Sequence, residues 1–189
     1  MGWIVALVGF FLVGLGLVIW GLQEHNGLIT LDERVQNATA QVAAQAESRW
    51  DALISLSNAV SQYSTHEAET LEKIIAKRQP VGPSASKKQI DKDDIMYEQA
   101  KVNIQAVSEQ YPDLKADGLY QSLMSDINSY ETNIRESRMI FNDTVTKFNR
   151  RIRMFPSVII ANMNGYSAYD YFQSSETKRD HPLAQQKGV

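Results

Sequence analysis

The chain has 189 residues, with 19 Lys and Arg against 22 Asp and Glu, a formal net charge of −3, three histidines and no cysteine. So mild a charge balance offers no footing for nucleic acid. The lack of cysteine excludes a disulfide framework, thiolate metal sites and a cysteine nucleophile.

Residues Trp3 to Leu22 are apolar without interruption, and the first ionisable side chain is Glu24. Twenty residues at about 1.5 Å each make a helix of roughly 30 Å, the thickness of a bilayer's hydrocarbon core. Residues 1–22 are therefore expected to be a transmembrane anchor, with Trp3 and Trp20 at the two membrane interfaces, where indoles prefer to sit. A cleaved secretory signal would carry a basic leader and a shorter apolar core. No Lys or Arg precedes this run, and Val18-Ile19-Trp20 is a poor cleavage site. A buried helix of a soluble domain would be apolar on one stripe, not on every side. Lipidation has no acceptor, since Ala6 stands where a myristoylation signal wants Ser or Thr and there is no Cys to acylate. Gly2, Ala6, Gly9 and Gly16 share one face. Small residues so placed permit close helix approach and form a candidate self-association seam; the competing reading is that Gly is simply frequent in spanning helices. The positive-inside rule tilts the large domain toward the cytoplasm, on Arg34 and Arg49 against a bare α-amino group, with an extracytoplasmic domain as the alternative.

Beyond the anchor, residues 23–172 read as one helical domain. Leu28, Leu31, Val35, Ala38 and Val42 form a heptad-like seam that slips through Ala46 and Trp50 and resumes at Leu53, Leu56, Val60 and Tyr63, continuing to Leu71 and Ile74. Without Pro or Gly from Leu28 to Gln79, one helix of about 50 residues is expected, and it can run on from the anchor, with Asn26-Gly27 as a candidate bend. Residues 80–88 are a loop by their Pro, Gly and Ser content. Asp93 and Asp94 are expected to cap a second helix that presents Ile95, Val102, Ala106 and Tyr111 and stops before Pro112. A connector over Asp113–Gly118 leads to a third helix, whose seam runs through Leu119, Leu123, Ile127, Tyr130, Ile134, Phe141, Val145, Phe148, Ile152 and Phe155. Ser157 is expected to cap a fourth helix that Gly165 ends. Tyr166, Tyr169, Tyr171 and Phe172 are expected to fold back onto the bundle. Residues 173–189 are polar and read as a disordered tail. No stretch alternates with period two. The fold class is all-α: a single N-terminal transmembrane helix followed by an antiparallel helical bundle with one very long helix.

No residue set carries chemistry. His25, His66 and His181 are scattered, and His66-Glu67 lacks the second histidine four residues on that a helical zinc site requires. Catalytic, cofactor-binding and metal residues are all read as none, and an enzyme is not expected. Lys147, Arg150, Arg151 and Arg153 crowd the end of the third helix. They are a candidate lipid-facing basic cluster, against the plainer reading that cations favour a helix C-terminus. Asn142 and Asn149 lie beside the seam, either fixing helix register or facing water. Arg49 with Asp51, and Arg138 with Glu131, read as surface pairs.

The order of these features resembles the LemA family. The agreement runs from the anchor and Asn26-Gly27-Leu28 through Arg49-Trp50-Asp51, Tyr63, His66-Glu67 and Tyr111-Pro112-Asp113-Leu114-Lys115-Ala116. It continues with Glu131-Thr132-Asn133-Ile134, Arg138, Phe141-Asn142-Asp143, Val145, Phe148-Asn149 and Ile152, then Phe155-Pro156-Ser157, Ala161, Gly165 and Phe172. Each motif is weak alone; their ordered sum over Met1 to Phe172 is specific. Ile54 and Ser55 stand where the family tends to have Pro and Asn. The resemblance implies a single-anchor membrane protein of the bacterial inner membrane, without catalytic residues or cofactor. The expected function is a homo-oligomeric membrane scaffold or organiser that works with membrane lipid. The alternative is a regulatory adaptor for a membrane protein partner such as a protease.

Overall fold

The computed structural model describes residues 1–62 and 72–172. The expectations placed on Tyr63, His66, Glu67, Leu71, His181 and the tail 173–189 lie outside those residues. The described residues are all-α: α1 (Gly2–Ser61), α2 (Lys87–Gln110), α3 (Pro112–Ala116), α4 (Gly118–Arg151) and α5 (Ser157–Met163).

The anchor and the long soluble helix are one element. α1 runs for 60 residues, so the long helix does run on from the anchor, and Asn26-Gly27 does not break it. An interior Gly costs a helix about 1 kcal/mol relative to Ala, but Glu24 and Leu28 on either side are both buried, and their packing holds this turn. The Thr30 hydroxyl also donates to the Asn26 carbonyl, 3.0 Å away. The helix passes straight through Ile54 and Ser55, as expected of a chain without Pro there. It ends at Ser61, well before Gln79.

Other elements depart from the sequence reading in instructive ways. Ser86, not Asp93 or Asp94, caps α2: its side chain accepts from the Gln89 amide while Gln89 reaches back to the Ser86 amide, a reciprocal capping box. The connector at 113–118 is partly helical, because Pro112 sits at the first position of α3, where its missing N–H costs nothing. Asp117 caps α4 by accepting from the amides of Leu119 (2.7 Å) and Tyr120 (3.2 Å). Ser157 is the first residue of α5, not its cap. Gly165 closes that helix with a positive φ of 71°, which a side chain would strain.

The chain forms two compact units. One comprises Met1–Gln36 and Asn142–Tyr171; the other comprises Asn37–Phe141 and the stretch beginning at Phe172. In the second unit the α1 seam is buried as expected, with Trp50, Leu53, Leu56 and Val60 fully covered. α2 packs antiparallel to α4: Lys101 pairs with Glu131 and Asp94 with Arg138. It buries the face opposite to the one expected. Ile90, Asp93, Tyr97, Ala100, Ile104 and Val107 are inside, while Ile95 and Val102 are 53 % and 59 % exposed.

The reason is a polar core. The Trp50 indole N–H donates to both oxygens of Asp93, at 2.9 and 2.8 Å, and Trp50 meets Tyr97 edge-on at 5.4 Å. Arg49 lies over the Tyr97 ring, 3.7 Å from its centroid, and Arg78 over Trp50 at 4.8 Å. Arg49 binds Asp94 at 2.9 Å, and Arg138 binds the other oxygen of the same carboxylate. These arginines are therefore not surface pairs with Asp51 and Glu131. Burial pushes the Asp93 carboxyl above the ordinary value, opposed by the Trp50 hydrogen bond and by Arg78 and Arg49. A folded-state value raised in this way favours the fold at low pH and withdraws that contribution as pH rises. Trp50→Phe strands the charged carboxylate without its indole donor. It should cost about 1–3 kcal/mol at pH 7 and distinctly less at pH 4, where Asp93 is neutral more often. Urea unfolding of the detergent-solubilised protein at both pH values checks this; an equal loss at the two would refute it.

Candidate functional site

The first unit joins the anchor to the end of α4. From residue 2 to residue 19 every anchor side chain is exposed; only Trp20 and Gly21, at the soluble end, are half-buried. Trp3 is 69 % exposed. A methyl group added at Gly2, Gly9 or Gly16 would meet nothing within 4 Å, and Ala6 is likewise open. The helix is long and apolar enough to cross a membrane, and none of its most apolar window is covered by the rest of the chain.

Immediately beyond the span, Glu24 is buried at 5 % exposure. A buried carboxylate needs partners, and α4 delivers them. Arg151 approaches in a fork, with Nε 2.6 Å from Oε1 and Nη2 2.5 Å from Oε2, a bidentate geometry that fits guanidinium to carboxylate. Ser157, at the start of α5, is buried beside the same carboxylate. Arg151's hydrogen bond is the main influence holding the Glu24 carboxyl below its ordinary value; burial pulls the other way, and Ser157 adds to the lowering. The arginine is raised in turn by Glu24.

Further along α1, aromatic residues clasp the helix pair. Phe148 is fully buried and meets the rings of Tyr166 and Tyr169 edge-on at 5.7 and 5.2 Å. Asn149 is buried and exchanges two hydrogen bonds with the backbone of Tyr169, each 2.9 Å. It fixes the returning segment rather than the register between two helices. The Tyr169 hydroxyl donates to Asp32 at 2.7 Å, and burial together with that carboxylate pushes it up to about 12. The expected fold-back of Tyr166 and Tyr169 is thus real, whereas Tyr171 stays 45 % exposed.

The four residues of the basic cluster have separate fates. Arg151 is committed to Glu24. Lys147 pairs with Asp143 one turn away at 2.6 Å, and both are well exposed. Arg150 and Arg153 are exposed. Beside them stands an apolar group that the sequence reading did not single out: Met154, Phe155, Ile159 and Met163, which are 51 %, 80 %, 48 % and 79 % exposed. Phe155 was expected in the seam. α4 ends at Arg151, so Phe155 lies in the turn that follows it and is exposed, whereas Phe148 within the helix is buried. Among the described residues, no group of three or more His, Asp or Glu side chains converges as metal ligands would.

The sequence profile of the LemA family matches residues 38–185. Protein LemA of Metamycoplasma hominis is 28 % identical over 178 residues, which cover 90 % of this chain and 78 % of that protein.

The Glu24 junction yields a pH test. A carboxyl lowered in the folded state stabilises above its ordinary value of 4.5 and loses that contribution as pH falls through the lowered folded value. Glu24→Gln should therefore melt below the parent at pH 7, with the gap narrowing as pH drops below 4.5. Circular dichroism melts in detergent measure this, and a gap that stays constant with pH would rule out the Glu24–Arg151 clamp as its source.

Proposed function

The chain belongs to the LemA family, and on that premise we propose that it is a membrane-anchored, non-enzymatic helical-bundle protein that self-associates to organise the membrane around it. The observation that carries this reading is the unbroken helix from Gly2 to Ser61. A flexible joint after the span would uncouple the bundle from its anchor. A continuous helix instead carries the span directly into the α1–α4 pair of the first unit, where Arg151 grips Glu24. Copies held side by side in lipid would thereby bring these helix pairs together at the membrane surface. The open face at Gly2, Ala6, Gly9 and Gly16 offers close helix approach, the kind of contact that associates helices where lipid and Leu are equally apolar. Reaction chemistry is not what the LemA family is known for. In this reading the bundle faces the cytoplasm, which the arginines that follow the span support.

Extraction of the full chain into lipid nanodiscs, followed by mass measurement, tests the assembly. Particles of several copies are expected, and Gly9→Leu with Gly16→Leu should reduce their size. A parent protein of monomer or dimer mass removes self-association and favours an adaptor that binds a membrane enzyme. For sidedness, Ser174→Cys should resist a membrane-impermeant thiol reagent on intact cells; labelling there would place the bundle on the outer side.

A further inference from the structure

Three features of the first unit meet at one depth. The span ends at Leu22, and Ile160 from α5 approaches Gly21 on its last turn: a Cβ at Gly21 would lie 4.0 Å from the Ile160 Cδ1. One turn beyond, Glu24 is gripped by the Arg151 fork, with the buried Ser157 beside it. These contacts hold the end of α4 and the start of α5 against the last turn of the span, where a bilayer's headgroups begin. Met154 and Phe155 in the intervening turn, and Ile159 and Met163 on α5, are from about half to four-fifths exposed. Ile159 and Met163 are four apart and so lie on one face of α5.

We propose that this turn and α5 form a second, peripheral membrane contact. Met154, Phe155, Ile159 and Met163 enter the boundary between headgroups and acyl chains, and Arg150 and Arg153 pair with the phosphates of anionic lipid. The inference rests on the reading of Trp3–Leu22 as a membrane span, because the span is what sets the depth. Large apolar side chains next to exposed arginines are the composition of segments that lie in the interface plane, and each arginine near an anionic surface favours the bound state about five-fold. The basic cluster thereby resolves into two parts: Arg151 and Lys147 serve intramolecular pairs, while Arg150 and Arg153 face lipid. α5 is held at the bilayer by tertiary contacts, so its seven residues need not bind membrane unaided.

The chain has no cysteine, so Phe155→Cys and, separately, Met163→Cys each give a single thiol for a nitroxide label. In the full protein, reconstituted into phosphatidylcholine vesicles containing phosphatidylglycerol, both labels should collide more readily with dissolved oxygen than with a water-soluble nickel chelate. A label at Asp143→Cys should show the reverse. Arg150→Gln with Arg153→Gln should lower the inserted-to-withdrawn ratio of the Met163 label by about five-fold per arginine, and pure phosphatidylcholine should mimic that loss for the parent. A Phe155 label as open to nickel as the Asp143 label overturns the inference. So does one shielded from both reagents and dipolar-coupled to its counterpart, which would mean that a second copy covers the patch. Particle mass is independent of this readout: a monomer with residue 155 in lipid ends self-association and leaves the contact intact, and a multimer with residue 155 in water does the opposite.

Discussion

The carboxylate of Glu24 is the constraint on which the membrane-proximal unit turns. Two residues after an uncharged span, a helix acquires its first ionisable group and buries it. Ionised and alone, such a group would be driven out toward water, because desolvating an unpaired carboxylate costs several kcal/mol. The Arg151 fork offsets that cost, with Ser157 beside it, and the two come from a helix end and a helix start separated by one short turn. The end of α4, the turn and the first residue of α5 are therefore all tied to one point on α1. Breaking the tie would leave the buried Glu24 carboxylate unpaired and free the end of α4 from α1.

α1 also has to satisfy two surroundings with one backbone. Lipid asks only that every face be apolar, whereas the bundle asks for a stripe with period near 3.6 and a polar reverse side. The change occurs between Leu22 and Leu28 without a break in hydrogen bonding, through an Asn-Gly pair that elsewhere signals a turn. Tertiary packing overrides the local preference: Glu24 and Leu28 are both buried, so a bend between them would pull one or the other from its site.

The parts of the fold that could be read from the residues are those in which one physical effect dominates. The span and the α1 seam follow from apolar pattern alone, and Leu28, Val35, Val42, Trp50 and Leu53 are buried where periodicity puts them. The end of α2 follows from Pro112, whereas α4 stops at Arg151, four residues before the Phe155-Pro156 pair expected to end it. α2 failed to follow because its buried stripe includes Asp93, which a count of apolar residues places outside. Ile95 and Val102 then look like the core face by default. The signal that would have corrected this is Trp50: an indole at a core position needs an acceptor, and Asp93 is the carboxylate that supplies it. The candidate site was half legible. The basic residues at the end of α4 were visible in the sequence, but their division between Glu24, Asp143 and solvent depends on a contact 127 positions apart in the chain, which no local pattern encodes.

Carboxylate partners sort the basic residues of both units. In the second, Asp94 accepts from Arg49 and Arg138, and Asp93 sits beneath Arg78 and the Trp50 indole. In the first, Glu24 takes Arg151. A buried ion pair adds little net stability over an apolar pair of the same shape, yet removing one partner is costly. Such pairs consequently act less as glue than as selectors of one arrangement. An alternative packing of these helices that buried the same apolar area would have to leave a carboxylate or a guanidinium unmatched. That penalty is a reason for charged residues to persist inside a bundle whose leucines, valines and aromatic rings would otherwise fit together in several registers.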